Sequence, residues 1–148
     1  MKWTPLIITI TCDPAIQDPL NPRRGDLTTV DAIAREYIDA NAAGATMDHV
    51  HGIYSRDPVI QPDGRQLQIP DIDGTAEIID KIRAEYPSHP IQQGLASMRP
   101  EQKLQLWERI KPDMSSLNMG SHDEYFDPYP RQEKPIPCYS VHPIHELR

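Results

Sequence analysis

Two histidines separated by one residue, His49-Val50-His51, are the strongest chemical signal in the sequence. Side chains alternate along a strand, so these imidazoles share a face about 6.6 Å apart at Cα, while Asp48 and Val50 point the other way. Imidazoles that close either converge on one metal ion or form a structural pair satisfied by neighbours. A catalytic zinc takes three protein ligands and an open position, so two histidines alone do not complete a site. Within the chain, Asp13 and His122 are the candidates for a third ligand.

Farther along, Ser116, Asn118 and Gly120 alternate at the end of a strand. Hydroxyl and amide groups there hold a carboxylate or carbonyl oxygen, and glycine lets a substrate approach the backbone. Ordinary capping of a strand end explains the same residues. Arg56, in Arg56-Asp57-Pro58, offers a bidentate grip on a carboxylate or belongs to a solvated turn. His89, His142 and His145 fall in loops or at a frayed end and receive no chemical role. The sequence contains no GxGxxG, P-loop, GxSxG or HExxH.

The elements that must position these groups are legible in the hydropathy pattern. Residues 6–12 are β-branched and nearly continuously apolar until Asp13-Pro14, the pattern of a parallel strand covered on both faces. A long loop follows to Gly25. Thr28 with Asp31 approximates a capping box, and Val30, Ile33, Ala34, Tyr37 and Ile38 recur at helical spacing until Gly44. Residues 46–53, with the histidines, form the second strand, and another long loop follows it. Asp73-Gly74-Thr75 opens a second helix with Ile78, Ile79, Ile82 and Tyr86 on one side, stopped by Pro87. Residues 90–96 are a weak third strand because of Gln92, Gln93 and Gly94. A third helix starts around Pro100, with Leu104, Trp107 and Ile110 as its buried side. Residues 114–119 form the fourth strand, and residues 122–143 a Pro-rich loop. Residues 142–148 read as the first turns of a fourth helix.

This alternation implies an α/β fold with parallel strands and right-handed crossovers, four βα units forming half of a (β/α)8 TIM barrel. The 148 residues make a single domain, 1–148. With 15 Lys+Arg against 22 Asp+Glu, the net charge of −7 argues against nucleic acid or an anionic membrane as partner. No apolar run is long enough to span a membrane. The start, Met1-Lys2-Trp3-Thr4-Pro5, lacks a signal-peptide cleavage pattern. Cys12 and Cys138 make no disulfide framework and fit free thiols in a reducing cytoplasm. Open edges at the first and fourth strands predict self-association.

His49-Val50-His51, Arg56-Asp57-Pro58, Asp63-Gly64-Arg65 and above all residues 111–121, KPDMSSLNMGS, make the chain similar to the β-keto acid cleavage enzyme family. The resemblance covers nearly the whole chain. It implies a TIM barrel holding a divalent metal, usually zinc, that cleaves a β-keto acid with acetyl-CoA as co-substrate, giving acetoacetate and a new acyl-CoA. In that scheme His49 and His51 are metal ligands, Ser116 and Asn118 hold the substrate, and the ion acts as a Lewis acid on the keto oxygen. The family's third ligand and its catalytic Arg and Asp come from the second half of the barrel. The expectation is therefore an enzyme active only when a second polypeptide, or a second copy, completes the barrel. The alternative is a non-catalytic or truncated half-barrel subunit acting in assembly, favoured by Gly94-Leu95-Ala96-Ser97 standing where the family tends to show Ser-Thr-Gly-Gly.

Overall fold

The computed structural model describes residues 5–12, 27–55, 59–60, 62, 66–67, 70–94, 100–116, 122–124 and 138–140. In chain order the elements are β1 (Thr9–Cys12), α1 (Val30–Ala42), β2 (Met47–Val50), β3 (Ile53–Tyr54), β4 (Val59–Ile60), β5 (Gln66–Leu67), β6 (Pro70–Asp71), α2 (Ile72–Glu85), β7 (Ile91–Gln93), α3 (Pro100–Ile110), β8 (Met114–Ser115), β9 (His122–Glu124) and β10 (Cys138–Ser140).

Local chemistry sets the helix ends. Thr29, in extended conformation, accepts the Ala32 N–H on its hydroxyl at 3.2 Å and starts α1. The cap is thus Thr29 and not Thr28, because the hydroxyl must reach a donor three residues on. Asp71 caps α2 by accepting the Gly74 N–H at 2.8 Å, and the Thr75 hydroxyl donates back to the Asp71 carbonyl at 2.7 Å. At the far end of α3, the Arg83 guanidinium of α2 donates to the Ile110 carbonyl and, at 2.9 Å, to that of Lys111. A cation on those orphan carbonyls suits the negative end of the helix dipole and ties the two helices together.

The main sheet runs β1-β2-β7-β8, all parallel. Strand order follows chain order without reversal, so right-handed crossovers put every helix on the same face. A doubly wound sheet would instead reverse its order and have helices on both faces. Ile33, Ala34 and Tyr37 of α1, Ile78, Ile79 and Ile82 of α2, and Leu106 and Ile110 of α3 pack with Cys12, Val50 and Ile91 in one core. Each large aliphatic chain fully buried there contributes about 1.5–3 kcal/mol.

Sheet burial follows strand alternation. The row Cys12, Val50, Gln93 is buried against the helices, whereas Thr11, His49, Gln92 and Met114 lie in register on the other face, half-buried or exposed. The expectation that the first strand is covered on both faces is therefore corrected. Leu6, Ile7 and Ile8 are 77%, 71% and 49% exposed, and the strand begins only at Thr9. With all three helices on one side, the described residues leave the other face open.

Other departures have equally local causes. On α3, Leu106 is fully buried and Leu104 exposed, because the core-facing stripe runs through Leu106 and Ile110 at i, i+4 with Trp107 partly covered. The second strand stops at Val50 because Gly52 takes a φ of +88°, open to glycine at little cost, and the chain turns into β3. The expected loops also contain antiparallel ribbons: β3 with β6, β4 with β5, and β9 with β10 inside residues 122–143. Such two- and three-residue pairings are too short for any period to announce. Residues 117–121 and 142–148, the expected remainder of the fourth strand and the start of a fourth helix, lie outside the described residues. No helix among the described residues is long and apolar enough to cross a membrane.

On the helix side of β2, Asp48 is fully buried. Asn41 Nδ2 donates to its Oδ2 at 3.1 Å, and His89 Nδ1 stands 3.9 Å away. Burial pushes the Asp48 carboxyl above the usual carboxylate range, outweighing the Asn41 hydrogen bond and the attraction of His89, which both pull it down. A raised folded-state pKa means that the fold retains this proton where the unfolded chain has lost it. The corresponding stability is fully present below the ordinary aspartate value and is lost as pH rises through the folded-state value. We expect the fall in thermal midpoint from about pH 4 upward to be shallower in Asp48→Asn than in the native protein. Parallel midpoint-against-pH curves would refute this role.

Candidate metal centre

Parallel pairing in the register Thr11–His49–Gln92 places His49 in the middle of the open sheet face. Its backbone is fixed from behind. The Tyr37 hydroxyl donates to the His49 carbonyl at 2.8 Å and accepts the Cys12 N–H at 3.0 Å, so one buried α1 side chain ties the ends of β1 and β2 together. His51 follows two residues later, and the rings meet edge to face with centroids 4.8 Å apart. The expected shared face is present, with Asp48 and Val50 buried on the opposite one.

The nitrogens converge as well. His49 Nε2 lies 2.9 Å from His51 Nε2, and His49 Nδ1 lies 2.6 Å from Gln92 Oε1. With the Gln92 oxygen as acceptor, the His49 proton belongs on Nδ1 and the lone pair on Nε2. Two nitrogens at this separation require a proton or a cation between them. Zinc bound at ~2.0–2.1 Å to each, in a tetrahedral arrangement, would hold them about 3.3 Å apart, so the pair needs to open by only a few tenths of an ångström. The residues present therefore fit two ligands of a metal site, each through Nε2.

Gly94 completes the surround. A Cβ at that position would collide with His51 Cδ2 and stand 2.8 Å from His49 Nε2 and 2.9 Å from His51 Nε2. In the sequence, Gln92, Gln93 and Gly94 mark only a weak strand. Alternation on a strand paired beside His49 is the signal that puts Gln92 on the histidine face.

Ser116 is one strand farther away. It follows β8, half-buried, and its backbone N–H donates to the Gln93 carbonyl at 3.1 Å, with its hydroxyl 3.5 Å from the same oxygen. Arg56, Asn118, Gly120 and Asp13 lie outside the described residues, and His122 is described only as part of β9. Among the described residues, no group of three or more His, Cys, Asp or Glu is arranged to hold a metal ion. His89, given no role from sequence, lies beside Asp48 on the helix side of β2.

Comparison with protein-family models matches residues 15–136, well over half of the chain, to a model described as beta-keto acid cleavage enzyme. A search of curated proteins gives no match.

Proposed function

The chain belongs to the beta-keto acid cleavage enzyme family, whose fold is a TIM barrel, and from that premise we propose that it contributes the metal-binding half of such an enzyme. The observation that carries the reading is the convergence of His49 and His51 through Nε2 at 2.9 Å on the open face of the sheet. These two side chains would hold a divalent metal, zinc by choice of ligands. Once bound, that ion supplies Lewis-acid polarisation of a keto oxygen.

The reaction is an exchange of acyl groups. The carboxymethyl unit of the β-keto acid passes to the acetyl group of acetyl-CoA, giving acetoacetate, and the released acyl group leaves on CoA. Ser116 and Asn118 would orient substrate oxygens, Gly120 would leave backbone open to the substrate, and Arg56 would grip its carboxylate. The third ligand and the acid–base groups would come from the strands that complete the barrel. A cytoplasmic, reducing setting belongs to the same reading.

Native mass spectrometry of the assembled particle from its own source, with an acetoacetate assay on the same sample, tests this. One zinc per completed barrel together with acetoacetate release is the expected result. A metal-free, inactive assembly would favour the rival reading, a half-barrel subunit without chemistry.

A further inference from the structure

Two neighbours, Gln92 on β7 and Gly94 just after it, shape the histidine pair, and each does so in its own way. Gln92 stands in register with His49, and its amide oxygen accepts a hydrogen bond from the His49 Nδ1–H at 2.6 Å. The next residue, Gln93, turns to the helix side and donates Nε2 to the Val50 and Gly94 carbonyls, both at 2.8 Å. Adjacent glutamines thus have separate tasks, one structural and one directed at an imidazole. An amide oxygen only accepts, so the Gln92 contact selects one tautomer of His49 and leaves Nε2 with its lone pair toward His51.

Gly94 acts by leaving space. Unlike Gly44 and Gly52 it does not have a positive φ, so the backbone there accepts any residue. The reason for glycine is the side-chain volume above it, where a Cβ would fall within 3 Å of both rings. Its N–H donates to the Val50 carbonyl at 2.9 Å, which keeps this part of the backbone against the strand that carries the histidines.

We propose that Gln92 and Gly94 are positioning residues for the His49–His51 pair: Gln92 sets the tautomer that presents Nε2, and Gly94 leaves the room in which the two rings converge. The inference rests on the reading of that pair as metal ligands. Partners of this outer kind are worth about 10–100-fold in metal affinity.

Two measurements, tautomer on the metal-free chain and zinc affinity on the assembled particle, separate the inference from the reading beneath it. Long-range 1H–15N spectra of the metal-free protein report which ring nitrogen of His49 carries the proton, and competition against a chromophoric chelator gives the zinc affinity. The native protein should show His49 protonated at Nδ1. Gln92→Ala should lose that preference and bind zinc about 10–100-fold more weakly. Gln92→Glu retains an acceptor oxygen and should restore both properties, which a purely structural role would not predict. Gly94→Ala should weaken zinc binding while the His49 tautomer stays as in the native protein.

Unchanged tautomer and affinity in Gln92→Ala, or equal losses in the alanine and glutamate variants, would overturn the Gln92 assignment. Native zinc affinity in Gly94→Ala would overturn that of Gly94. A native assembled particle that takes up no zinc overturns the metal reading itself, and the tautomer data then decide the role of Gln92 independently.

Discussion

Replacing His49 by alanine is expected to reduce zinc in the assembled particle to background and to slow acetoacetate formation by about 1,000-fold or more. A bound Lewis acid supplies several kcal/mol of transition-state stabilisation, and each 1.4 kcal/mol is tenfold in rate. His51 cannot compensate, because it brings a single donor nitrogen and the second ligand atom, 2.9 Å away in the native protein, is gone. The variant should still fold. His49 is only half-buried and lies on the sheet face away from the core formed by Val50, Ile33 and Ile91, so its truncation opens no cavity there. Far-UV circular dichroism and the thermal midpoint would check this, and chelation of the native particle followed by zinc return provides the matching control. Activity should return in the native particle and remain absent in the variant. Native zinc content with undiminished turnover in His49→Ala would end the metalloenzyme reading.

The residues behind that prediction are legible in the amino-acid sequence. HxH on a strand needs only its two-residue period to place both rings together, and this period is fixed by backbone geometry. The helices are legible for the same kind of reason, since Ile33, Ala34 and Tyr37, or Ile78, Ile79 and Ile82, recur at the spacing that one buried face requires. The coverage of the first strand is not, because a continuous apolar run specifies hydrophobicity but not which layers exist to cover it. Leu6, Ile7 and Ile8 read as core and stand exposed. Gln92 is hidden for a different reason. Its role depends on lateral pairing with a strand more than forty residues away in sequence, which no local period records. On α3, Leu104 and Leu106 both fit a helix pattern, and only the packing of α3 against α2 chooses Leu106.

The exposed start of the first strand carries the second large expected effect. Among the described residues, β1 pairs only with β2 and β8 only with β7, so the main sheet has an open edge on each side. Beside the first edge stand Leu6, Ile7 and Ile8, and beside the other Met114, 41% exposed. Unpaired strand edges flanked by apolar side chains recruit further strands. Burying the three aliphatic chains would contribute about 1.5–3 kcal/mol each, together no more than the lower half of the ~4–15 kcal/mol cost of association. The backbone ladder and the sheet face must therefore add to them before a stable particle forms. The chain alone, at tens of micromolar, should sediment as dimers and larger species. Ile7→Lys should shift it toward monomer, because a charge in the segment that leads into an edge strand opposes pairing there. At 71% exposure the substitution itself should cost the fold no more than about 0.5 kcal/mol. If further strands pair at this edge in the assembled enzyme, the same lysine should also weaken assembly and, with it, both zinc retention and acetoacetate release. A sharp monomer with cooperative thermal unfolding in the native chain would instead mean that these edges are already satisfied, and the expected self-association would fall with them.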